Sequence, residues 1–139
     1  MEELAAEFWQ GVEEFNTQQF YDCHDTLEAI WMEAMEPQRT FYQGILQMAV
    51  ALYHLSQQNW RGAVILLGEG IKRLHPYEPE YGTVDVADLL NQGETLLTKL
   101  QATGPEAAAS LWQQLLANPS GSPSLPAIRR VLPPVNLNC

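Results

Sequence analysis

Cysteine is scarce in this chain, and the two that occur, Cys23 and Cys139, have neither zinc-ligand nor redox-pair spacing. They give no disulfide framework and no reason to place the protein in an oxidising compartment. Lys and Arg are absent from residues 1–38, which hold ten acidic residues, while the remainder carries seven of each sign. A cationic footprint for nucleic acid is therefore missing, and an anionic membrane surface would repel the N-terminal third. Long apolar runs are missing too. The longest is interrupted by Gln43, Gln47 and His54, so no membrane span is expected. The opening MEELAAEFW lacks the basic start and apolar stretch of a secretory signal, and a cytoplasmic location is the default. No nucleophile elbow, dinucleotide fingerprint, phosphate loop or Cys–His pair occurs, and no stretch alternates like a strand.

What is present is helical periodicity. A chain of 139 residues with 46% hydrophobic content and a net charge of −10 is sized for one domain with its own core. The acidic N-terminal face either keeps the protein in solution or meets a basic partner. Leu4, Phe8, Val12 and Phe15 recur at helical spacing over 2–14. A second helix is expected over 19–35, closed by Pro37, and a third over 38–57. The fourth, 60–74, carries Ala63, Leu66, Leu67, Gly70, Ile71 and Leu74 as its apolar stripe. The segment HPYEPEYGT reads as a loop, a fifth helix follows over 84–101, and Pro105 to Ala117 forms a sixth. The expected fold is all-α, a bundle of five or six helices built from two antiparallel hairpins. Residues 1–117 make a single domain, and 118–139 a Pro- and Ser-rich extended tail on its surface. The turns at 16–20 (NTQQF) and 56–60 (SQQNW) match at an offset of about forty, a weak internal repeat of helical hairpins.

Polar residues inside this pattern mark the candidate site. On helix two, Phe20, Leu27 and Trp31 define the apolar stripe, with His24 inside its edge, Glu28 one turn on and Tyr21 one turn before Asp25. On helix three, Gln43, Gln47, Val50 and His54 form one line along a helix that is otherwise apolar almost all round. Such a helix is expected to be buried. Orphaned polar groups there cost about 1–3 kcal/mol each, so His24 and Glu28 are expected to face Gln43, Gln47 and His54. Three readings stay open. The cluster is a hydrogen-bond network fixing helix register. Alternatively His24, Glu28 and His54 ligate a divalent metal such as zinc, manganese or iron, without the HExxH spacing that would make the assignment strong. In the third, Glu28 is a general base oriented by His24 in a small-molecule or hydrolytic site.

Three blocks, FNTQQFYDCHDTLEAIW at 15–31, FYQGILQMAVALYH at 41–54 and NWRGAVILLGEGIKRL at 59–74, resemble the domain-of-unknown-function 309 family of small helical proteins. The resemblance spans about residues 8–75. It implies a fold of helical hairpins and points at His24, Glu28, Trp31, Gln43, Gln47, His54 and Asn59. Cys23 and Asp25 replace the usual small residue and acid beside the motif histidine, and the chain after Thr103 has no counterpart. The family carries no assigned activity. The functional expectations are thus an interaction or scaffold module that holds a protein partner or pairs with a second copy, and a metal-dependent or hydrolytic enzyme. Candidate binding residues are Tyr21, His24, Glu28, Trp31, Gln43, Gln47 and His54; candidate catalytic groups are Glu28 and His24.

Overall fold

Capping and proline signals set where the helices begin and end. The computed structural model describes residues 3–121 and 123–131. Among these, α1 (Ala6–Asn16), α2 (Phe20–Glu33), α3 (Gln38–Ser56), α4 (Trp60–Leu74), α5 (Val86–Thr103) and α6 (Ala108–Ala117) follow in order, with 3-10 turns at His75–Tyr77 and Pro105–Ala107. The all-α expectation holds, and no helix of the described residues is long and apolar enough to cross a membrane.

The loop before α5 departs from its sequence reading. Glu80–Tyr81 (β1) and Val84–Asp85 (β2) pair antiparallel across Gly82 and Thr83, both at positive φ (54° and 69°). Two left-handed residues in succession are what a tight hairpin turn requires. Strands of two residues are too short to show alternation, so the periodicity test could not detect them.

Short turns fold α1 back on α2 and α3 back on α4, giving two antiparallel hairpins side by side. The core runs between them. Phe8 and Phe15 of α1, Leu27 of α2, Ile45, Met48 and Leu52 of α3, and Leu67 and Leu74 of α4 are essentially excluded from solvent. Glycine lets the central helices approach. A Cβ on Gly70 would come within 2.8 Å of Met48 Cγ and 2.9 Å of the Gly44 carbonyl oxygen, so α4 sits backbone-close on α3. Gly68, on the same helix, has only Leu97 Cδ2 at 4.0 Å and is not needed for packing.

α5 packs on α4, and α6 on α3. The Trp60 indole N–H donates to the Leu100 carbonyl at 2.8 Å, pinning the start of α4 to the end of α5. Residues 123–131, part of the segment expected to lie on the surface as a tail, cross α1, α5 and the hairpin as a strap, and Ile128 within it is 3% exposed. Cys139 lies outside the described residues.

Candidate functional site

The line of polar residues on α3 exists, but it faces the opposite way from the expectation. With an advance of about 100° per residue, Gln43, Leu46, Gln47, Val50, Tyr53 and His54 fall within one arc of roughly 120°. All six are partly exposed, whereas the other nine residues between 41 and 55 (Phe41, Tyr42, Gly44, Ile45, Met48, Ala49, Ala51, Leu52 and Leu55) are buried. No polar or charged side chain is buried among the described residues. The cluster is therefore the solvent-reached arc of the central helix and not an internal network. The physical reason lies in the packing. Contacts through Gly44 and Gly70 seat α4 low on α3, and α2 packs on the other flank, so the two neighbours border the arc without closing over it.

On the α2 border, His24 Nε2 lies 3.4 Å from Glu28 Oε2, the one-turn pair expected from the spacing, and His24 Nδ1 lies 3.2 Å from Asp25 Oδ1. The side chains of His24 and Glu28 are 30% and 49% exposed, so their contact is a solvated one. The Tyr21 ring, 56% exposed, packs against His24 at 5.9 Å and edge-on against Tyr53 of α3 at 5.4 Å. Trp31 continues this border, with the Arg39 guanidinium 4.6 Å above its ring, a cation–π arrangement.

On the other border Gln47 looks to α4 and not to α2. Arg73 Nε donates to Gln47 Oε1 at 2.9 Å, and Gln47 Nε2 donates to Glu69 Oε2 at 3.3 Å. His54 serves the α3–α4 turn, where its Nδ1 is 3.2 Å from Asn59 Nδ2 while Asn59 Oδ1 accepts from the Gly62 backbone N–H at 3.0 Å. Gln43 lies on the same arc, toward the start of α3.

The seven candidates thus share one open face but split into separate sets. His24 pairs with Glu28, Gln47 with Arg73 and Glu69, His54 with Asn59, and Trp31 with Arg39. The three-ligand metal set expected of His24, Glu28 and His54 is not assembled, and among the described residues no three His, Cys, Asp or Glu side chains gather in a way that could hold a metal ion. His54 sits instead in the last turn of α3, with its Nδ1 on Asn59, the residue that caps α4. Arg73 and Glu69 are the site residues that the sequence reading missed. Their signal was the Gln47–Glu69 and Gln47–Arg73 opposition, visible only once α4 is known to border α3.

Fold and site together define an all-α protein of two packed helical hairpins that presents a mixed polar and aromatic face across α2, α3 and α4. Residues 8–66 match the model of the family described as "Domain of unknown function (DUF309)". The uncharacterized protein YpuF of Bacillus subtilis (strain 168) is 39% identical over 64 residues, 45% of this chain and 37% of the relative. The match therefore spans little more than a third of that relative's length. The family segment contains α2, α3 and the first half of α4, and with them every candidate residue of the open face except Glu69 and Arg73.

Proposed function

We propose that the protein is a helical interaction module whose open α2–α3–α4 face docks a protein partner. One observation carries this reading. The face is partly exposed along its length, with Tyr21, Trp31, Leu46, Val50 and Tyr53 offering apolar and aromatic surface between polar pairs. Aromatic side chains set among satisfied polar groups are the usual composition of the central part of a protein interface. The α2 border is acidic: Asp22, Asp25, Glu28 and Glu33 share that helix with no Lys or Arg, so the partner brings basic side chains to that side.

The test is a pair of surface substitutions, Tyr21→Ala and Glu28→Lys, in a tagged full chain used for crosslinking and low-salt capture. The expected result is one specific protein captured by the parent chain, lost in both variants while their melting temperatures stay within a few degrees of the parent. Capture that persists in both variants, or the absence of any specific protein, overturns the reading.

A second reading keeps one supporting contact, the 3.4 Å approach of His24 Nε2 to Glu28 Oε2, which would suit an acid–base pair in a hydrolytic enzyme. Here Glu28→Gln abolishes turnover on an ester or phosphoester panel with the fold intact.

A further inference from the structure

The strap formed by residues 123–131 is held as a bound peptide is held. Asn16 of α1 reads the backbone of Ile128 with both ends of its carboxamide: Nδ2 donates to the Ile128 carbonyl at 2.9 Å, and Oδ1 accepts from the Ile128 N–H at 2.7 Å. Gln92 of α5 does the same to Ala127, with both bonds at 3.0 Å. Beyond them the strap pairs with the hairpin. Asp85 N–H donates to the Arg129 carbonyl at 2.8 Å, Val131 N–H donates to the Thr83 carbonyl at 2.7 Å, and Val84 bridges antiparallel to Arg130.

Side chains follow a period of two. Pro126 and Ile128 are buried, and the Arg130 guanidinium lies 3.9 Å over the Trp9 ring, with its Nε donating to Thr83 Oγ1 at 3.1 Å. Between them Arg129 points to Asp88, 3.2 Å away. Main-chain bonds that supply affinity, with pockets for alternate side chains that supply selectivity, are the pattern of peptide recognition by strand addition. A segment one strand deep, with only Pro126 and Ile128 buried, opens locally at lower cost than the helices of the core.

We propose that the groove between α1, α5 and the β-hairpin is a peptide-binding site occupied by the chain's own strap, and that it takes in trans an extended peptide bearing an aliphatic residue followed by two arginines. Charge favours such a ligand. Arg129 meets the Asp88 carboxylate at 3.2 Å, and Glu3 lines the same surface pocket as Arg130 and Trp9, so a free peptide of the same character meets the same acidic groups. Two carboxamides that grip only backbone atoms leave the identity of residue 127 open, so selectivity rests on the aliphatic anchor and the arginine pair.

The probe is a fluorescein-labelled peptide of sequence SLPAIRRV, titrated into the full chain and into full-length Ile128→Asp, whose own strap has lost its anchor. The expected result is saturable binding to Ile128→Asp, at least tenfold weaker binding to the parent chain, and at least tenfold weaker binding of a peptide with both arginines changed to alanine. A folded Ile128→Asp chain that does not bind the peptide overturns the proposal. So does an Ile128→Asp chain that fails to fold, because the strap would then be an obligatory part of the core. Hydrogen exchange on the unmodified chain gives an independent check. Amides of Asp85, Ala127, Ile128 and Val131 are expected to exchange at least tenfold faster than those of α3, and equal protection overturns the proposal.

Discussion

Gln18 and Gln58, about forty positions apart, close α1 and α3 with the same backbone geometry, at φ 61° and 64°. The bonds around them repeat as well. Gln19 N–H reaches the Glu14 carbonyl and Gln18 N–H the Phe15 carbonyl; Asn59 N–H reaches His54 and Gln58 N–H reaches Leu55. This is the Schellman closure of a helix, which ordinarily places glycine at the left-handed position. A residue with a Cβ costs about 1–2 kcal/mol there. Gln18→Gly and Gln58→Gly are each expected to stabilise the protein by up to about 1 kcal/mol after the added chain entropy of glycine is subtracted. The two gains add, since the turns share no partner. Urea denaturation reads the result directly, and a lowered midpoint in either variant refutes the assignment of strain.

Gly70 and Gly68 stand two residues apart on α4 and predict opposite signs. An alanine methyl at 70 meets the Gly44 carbonyl oxygen at 2.9 Å and the Met48 nitrogen at 3.2 Å, backbone atoms that cannot turn aside. Gly70→Ala must push α4 off α3, at a cost of about 1–3 kcal/mol or more. At 68 the methyl finds only Leu97 Cδ2 at 4.0 Å. Gly68→Ala therefore gains helix propensity, about 0.5–1 kcal/mol. Thermal melts of the two variants should move in opposite directions.

The same pair shows which parts of the fold were legible in the sequence. Pro37 fixed the gap between α2 and α3, and the turn residues at 16–20 and 56–60 announced both hairpins and their repeat, so the helix order follows from local chemistry. The face of α3 was legible as a line of polar positions, yet its burial was not. Whether Gln43, Gln47 and His54 are covered depends on how low α4 sits, and that depends on Gly44 and Gly70 meeting across the interface. The β-hairpin escaped because its strands have two residues each. The strap escaped for a different reason: Asn16 recognises the backbone of Ile128, far along the chain, through atoms that leave no mark on the identity of the residue recognised.

Asn59 joins two roles, and its removal separates them. Its Oδ1 caps α4 through Gly62 N–H, and its Nδ2, a donor only, requires His54 Nδ1 to accept, which places the neutral imidazole proton on Nε2. Asn59→Ala is expected to cost about 0.5–2 kcal/mol, the range for losing a side-chain cap. Asn59→Asp keeps the cap acceptor but loses the donor to His54, and should cost less. A double-mutant cycle with His54→Ala should show a coupling of about 0.5 kcal/mol or more. Additive losses would mean that His54 and Asn59 do not interact in solution.

Cys23 links α2 packing to alkaline pH. The thiol is fully buried, and burial first, then the negative charge of Glu14, push it up from 9.0 to about 12, partly offset by a hydrogen bond to the Phe15 backbone. The folded state thus holds the proton more tightly than the unfolded chain does. The contribution to stability is complete below pH 9.0 and is lost as pH rises toward about 12, because the unfolded thiol ionises first. Cys23→Ala leaves a small cavity and lowers stability at neutral pH, but its stability should fall less steeply than the parent's across that alkaline window. In a chain carrying Cys139→Ser, a disulfide-exchange reagent at pH 8 should modify Cys23 only as fast as the protein opens, and at once in denaturant. Rapid modification of the folded chain, or parallel pH profiles for Cys23→Ala and parent, would show that α2 does not seal the thiol against α1.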